Sequence, residues 1–122
     1  MSRDARLFLD DMITACEKIE RYVARRPRVA FEGDEQAFDA VLKNLEVIGE
    51  AAKRLPTDVK DAHPEIAWRD ISGLRDIIVH GYFGLDLDIV WDVVENRVPE
   101  LLVLLRNLEP GPQRTGPEGG GS

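Results

Sequence analysis

Apolar residues recur every three or four positions along almost the whole chain, and prolines divide that pattern into segments. Phe8, Met12, Ala15, Ile19, Tyr22 and Val23 form one such stripe, so residues 3–26 are predicted to be an amphipathic helix that Pro27 ends. Gly33-Asp34 supplies an N-cap signal, and Phe38, Val41, Leu42, Leu45, Ile48 and Ala52 continue a second stripe as far as Leu55-Pro56. After a short helical turn and a loop around Pro64, a third helix begins near Ala67 or Trp68 with Ile71, Leu74, Ile77 and Ile78. Gly81 is placed to end it, because glycine enters the left-handed conformation without a Cβ penalty. Asp86 or Asp88 then caps a fourth helix to Leu108, with Ile89, Val90, Val93, Val94, Val98 and Leu101 on its apolar side. Pro99 falls inside that helix and predicts a kink.

No pair of alternating runs flanks a hairpin turn, so the expected fold is all-α, an up-and-down four-helix bundle with a kinked last helix. Residues 1–109 form the expected domain. Residues 110–122, rich in Gly and Pro, offer almost nothing to bury and read as a disordered tail. No apolar run approaches the roughly 20 residues of a membrane span, and Met1-Ser2-Arg3-Asp4 does not open an apolar leader. The single cysteine, Cys16, excludes a disulfide within the chain. Together these features make a reducing cytoplasm the expected compartment.

The chain carries 16 Lys and Arg against 23 Asp and Glu, a formal charge of -7. That balance excludes a broad, non-specific polyanion binder but not a local cationic cleft. Positive charge gathers at Arg21, Arg25, Arg26 and Arg28. Two readings stay open for this cluster: favourable placement at the negative end of a helix, or a track for RNA phosphates.

Only two histidines are present. His63 sits beside Asp61 and Glu65 without a persuasive metal-ligand spacing, and the second helix lacks the Glu-x-x-His of a di-metal bundle, so no metal and no cofactor are expected. His80 closes the run Arg75-Asp76-Ile77-Ile78-Val79-His80-Gly81-Tyr82. Arginine presents a planar donor fork suited to phosphate oxygens. Imidazole, with an ordinary pKa of about 6.5, exchanges a proton with a 2′-hydroxyl or a leaving oxygen near neutrality. The pair therefore suits phosphodiester cleavage of RNA, with the substrate's own 2′-hydroxyl as nucleophile. A symmetric homodimer would bring two such pairs into one cleft. The spacing equally allows Arg75 to pair with Asp76, Asp70 or Glu50 while His80 serves the core. Glu50 in turn has Lys53, Arg54 or, across the bundle, Arg75 within reach, and Gly49 beside it points to a close approach between helices.

The segment from Arg75 to Tyr82 resembles the R-x4-H-x-Y motif of HepT-like toxins in the HEPN superfamily. Arg6-Leu7-Phe8-Leu9-Asp10-Asp11-Met12, Asn44-Leu45-Glu46-Val47-Ile48-Gly49-Glu50, Trp68-Arg69-Asp70-Ile71 and Val90-Trp91 stand around it in the order of that family, over about residues 3–108. The resemblance implies a dimeric four-helix HEPN domain acting as a metal-independent ribonuclease, the toxin of a type II/VII-like prokaryotic toxin–antitoxin pair. It makes Arg75 and His80 the catalytic pair, with Asp76 orienting them. It also implies an MNT-type nucleotidyltransferase antitoxin that transfers AMP to Tyr82. The alternative is a non-catalytic HEPN bundle whose task is to dock that nucleotidyltransferase.

Overall fold

The computed structural model describes residues 1–80 and 84–108, without the side chains of residues 77–80. Helix α1 (Arg3–Val23) starts where the Ser2 hydroxyl accepts the Ala5 N–H at 3.1 Å, satisfying one of the free donors of a first turn. It stops three residues before the expected boundary. Arg26 precedes a proline, which disfavours helical backbone there, and Arg25 takes φ 59°, the left-handed region. That conformation costs a non-glycine residue about 1–2 kcal/mol. The Arg26 guanidinium compensates locally by donating to the end carbonyl of Tyr22 at 3.2 Å.

A short helix, α2 (Arg28–Gly33), follows Pro27, between the first two expected helices. Six residues are too few to show a stripe, yet α2 delivers Phe31 to the core, fully buried against Phe38 and Trp91 with ring centroids 5.4 and 5.9 Å away. Helix α3 (Glu35–Arg54) has the expected cap. Asp34 accepts the Ala37 N–H at 3.1 Å and Arg26 at 3.0 Å, and these bonds, the backbone one foremost, hold its carboxyl below the ordinary 3.8. Helix α4 (Thr57–Ala62) is the expected turn after Pro56. The Trp68 indole N–H then donates to the His63 carbonyl at 3.0 Å, where α5 (Trp68–His80) begins.

Asp86 caps α6 (Leu87–Asp92) by accepting the Asp88 N–H at 2.9 Å. A π turn (Val93–Arg97) joins it to α7 (Val98–Leu108), and the Val98 N–H reaches back to Val93 rather than to Val94. The irregularity expected at Pro99 thus lies one turn earlier. Pro99 has no N–H to donate to the Glu95 carbonyl and its ring crowds that oxygen, and a widened turn relieves the conflict.

Helix α1 packs on α3, α3 on α5, and α7 on α1. The shared core contains Leu9, Met12 and Ile19 of α1, Val41, Leu45 and Ile48 of α3, and Val98, Leu102 and Leu105 of α7. This is the expected all-α bundle, and no strand occurs among the described residues. Two stripe residues leave the core: Tyr22 and Ile89 are 40% and 50% exposed. Cys16 is fully buried, and burial, reinforced by Glu20 and Glu17, pushes its thiol up to about 12. Among the described residues no helix is long and apolar enough to cross a membrane. Residues 109–122, including the expected tail, lie outside the described residues.

Candidate functional site

Gly49 sets the distance between α3 and α5. A Cβ there would stand 2.9 Å from the Arg75 backbone nitrogen, 3.1 Å from Arg75 Cβ and 3.2 Å from the Ile71 carbonyl oxygen. Two of those atoms are helix backbone and cannot swing away, so only glycine permits this seam. The close approach expected of Gly49 is therefore present, and it lands on Arg75.

The next residue along α3 uses that proximity. Glu50 Oε1 lies 2.8 Å from Arg75 Nε. The Arg75 N–H is not directed at that oxygen, which is shielded from water and has no aligned hydrogen bond. The contact is a charge pair rather than a formed hydrogen bond. Glu50 also approaches Arg54 at 3.7 Å, so of its three expected partners Arg75 is the nearest and Lys53 makes no ion pair among the described residues. Asp76 flanks the other side of the guanidinium, 3.6 Å from Nη1. Arg75 and Glu50 are 36% and 40% exposed, so the group is held at the surface, not sealed in the core.

His80 ends α5. Five residues separate it from Arg75, which places the two about 7.5 Å apart along the axis and about 140° apart around it. The His80 side chain, Gly81 and Tyr82 lie outside the described residues, so the helix ending expected at Gly81 does too.

The four clustered arginines divide into two kinds. Arg26 is bound to Tyr22, Ala30 and Asp34. Arg28 pairs with Glu32 at 2.8 Å and with Asp88 at 2.6 Å, linking α2 to the start of α6. Arg21 and Arg25 make no ion pair among the described residues. The Arg26 bonds fasten the cluster to the N-terminal end of α3. His63 Nδ1 sits 3.4 Å from Glu65. No three His, Cys, Asp or Glu side chains converge as a metal site among the described residues.

One feature near the site is absent from the sequence reading. Helix α5 faces α6 and α7 across a groove of about 720 Å³ with Ile71, Leu74, Ile89, Val93 and Leu104 along it. The exposed Ile89 belongs to this groove. Its only sequence signal is an apolar stripe broader than one neighbouring helix needs.

Residues 12–108 match the HepT-like family, described as ribonuclease HepT-like. The probable ribonuclease HepT of Thermococcus cleftensis is 39% identical over 101 residues, covering 83% of this chain and 92% of that protein. A candidate RNase of Methanocaldococcus jannaschii is 35% identical over 111 residues, covering 88% and 92%. A candidate RNase of Caldanaerobacter subterraneus subsp. tengcongensis is 33% identical over 99 residues, covering 79% and 86%. No solved structure matches the chain.

Proposed function

From its place in the HepT-like ribonuclease family, to which this chain belongs, we propose that it is an RNA endonuclease with Arg75 and His80 as its catalytic pair. The observation that carries this reading is the setting of Arg75. The sequence departs from good helix formers at Gly49 to admit it, and the Glu50 carboxylate stands 2.8 Å from its Nε as a charge partner. A core-stabilising ion pair has no need of such an approach at a half-exposed position, since surface pairs contribute only about 0–1 kcal/mol. A phosphate-binding guanidinium does need it, because the fork must meet two oxygens in a fixed orientation.

In the proposed reaction His80 takes the proton of a ribose 2′-hydroxyl, and the oxygen attacks the adjacent phosphorus. The bond from phosphorus to the 5′-oxygen breaks, leaving a 2′,3′-cyclic phosphate and a 5′-hydroxyl that receives a proton. Arg75 binds the non-bridging oxygens and neutralises the charge that grows on them. Asp76 and Glu50 orient its guanidinium as charge partners. The nucleophile comes from the RNA, so the scheme requires no metal. Two copies of the chain would place one imidazole as base and the other as acid in a shared cleft.

The same reading makes the protein the cytoplasmic toxin of a prokaryotic toxin–antitoxin pair. Its domain is residues 1–109, and a nucleotidyltransferase antitoxin silences it by transferring AMP to Tyr82. A phosphodiester two residues from His80 adds negative charge and bulk where RNA must enter. Wild type, Arg75→Ala and His80→Ala are to be compared on a mixed RNA pool in EDTA. Cleavage by wild type alone is expected, with cyclic phosphate ends; equal cleavage by all three contradicts the assignment. Incubation with the partner enzyme and ATP should raise the intact mass by whole AMP units in wild type and not in Tyr82→Phe.

A further inference from the structure

A second groove, of about 500 Å³, opens where the end of α1 meets the π turn. Glu20 and Val23 of α1, Arg25 and Arg26 beyond it, Trp91 of α6 and Glu95 of the π turn line it. Two departures from regular backbone border this one place: the left-handed Arg25 and the π turn that carries Glu95. Both kinds of irregularity concentrate at functional sites.

The side chains are suited to a single nucleotide. Trp91 packs against Phe31 at 5.9 Å yet still lines the groove, so it is a braced aromatic surface and not a loose one. Arg26 is occupied by Tyr22, Ala30 and Asp34, whereas the Arg25 guanidinium has no hydrogen bond or ion pair among the described residues. Two arginines are balanced by two glutamates, which does not suit a continuous phosphate track. It does suit one unstacked nucleotide. An aromatic face holds the base, a carboxylate accepts from an exocyclic amine or a ribose hydroxyl, and a free guanidinium meets one phosphate. The volume lies within the roughly 300–1,000 Å³ typical of small-molecule sites.

We propose that this groove is a subsite for one unstacked base of the RNA substrate, with Trp91 as stacking platform, Arg25 as phosphate contact and Glu95 as acceptor. Arg26 on its rim is tied to Asp34 at the start of α3, the helix that also packs against α5 and Arg75. The inference rests on the ribonuclease reading and extends it to substrate positioning.

The test uses the intact chain and a fluorescein-labelled, mixed-sequence octanucleotide of 2′-O-methyl RNA, whose blocked hydroxyls prevent cleavage. Anisotropy titrations compare wild type, Arg25→Gly, Trp91→Leu and Arg75→Ala. Arg25→Gly keeps the turn, because glycine takes φ 59° freely, and should weaken binding several-fold with an unchanged or higher melting temperature. Trp91→Leu should weaken binding about tenfold, as expected for a lost stacking platform. Because that variant loosens the Phe31 contact, a second reading uses Trp68→Phe, in which Trp91 is the sole tryptophan. Saturating RNA should quench its emission. Wild-type binding that Arg75→Ala weakens but Arg25→Gly and Trp91→Leu leave intact overturns the subsite alone. Loss in Arg25→Gly with neither loss in Trp91→Leu nor quenching means a phosphate contact only, and likewise overturns it. No binding by wild type overturns the subsite together with the ribonuclease reading.

Discussion

The two sides of α5 are packed in opposite ways. Toward α3 it lies so close that Gly49 has no room for a methyl group. Toward α6 and α7 it borders an apolar groove of about 720 Å³. The glycines record the contrast, since Gly73, on the open side, has nothing within 4 Å of where a Cβ would be. Close packing leaves little freedom to shift, so the tight seam is the side on which a phosphate-binding fork can be held still. Arg75 stands on it. The open side carries no such constraint, and an active site built there would depend on whatever covered it.

Arg75→Ala tests the tight side most severely. It should lower RNA cleavage by about 100-fold or more, the scale on which a fixed donor to a developing oxyanion acts. Its melting temperature should change little, because a pair between groups 36% and 40% exposed adds small stability after solvent screening. Gly49→Ala attacks the seam without touching any charge. Overpacking against backbone costs about 1–3 kcal/mol, of which the better helix propensity of alanine returns about 1 kcal/mol at most, so urea denaturation should show a net loss. Gly73→Ala should go the other way. With open space for its methyl it keeps the helix gain, about 0.5–1 kcal/mol, in the same assay.

A smaller effect belongs to the cap that anchors the arginine cluster. The Ala37 N–H and then Arg26 favour the ionised Asp34, so its folded pKa lies below the unfolded one. The stabilisation is complete above the ordinary 3.8 and disappears as pH falls through the lower folded value. Wild type should therefore be more stable than Asp34→Asn at pH 7, and the difference in melting temperature should close in acid.

How far these features were legible follows from where each piece of information resides. Helix α3 and its Asp34 cap, α5 from Trp68, and the Asp86 cap of α6 appear as local signals of spacing and side-chain chemistry. Helix α2 was hidden because six residues hold less than two turns, although its Phe31 is fully buried. The early end of α1 depends on Arg25 adopting a conformation that its residue type disfavours, for which no short-range pattern exists. Pro99 announced an irregular last helix, but whether the chain kinks or widens depends on what packs around the turn. At the site, Gly49 beside Glu50 signalled a close approach. That Glu50 meets Arg75 before Arg54 is a matter of helix register between α3 and α5, which neither stripe contains alone. The motif residues His80 and Tyr82 rest on spacing and family membership.

The most direct measurement compares steady-state RNA cleavage by Gly49→Ala and Gly73→Ala, each verified by circular dichroism to be folded at the assay temperature. A methyl group that shifts Arg75 by tenths of an ångström should reduce kcat by about tenfold, given that a misplacement near 1 Å costs on the order of 100-fold. Gly73→Ala should keep wild-type kcat. If the two folded variants cleave RNA at the same rate, the α3–α5 seam does not set the position of Arg75 for cleavage.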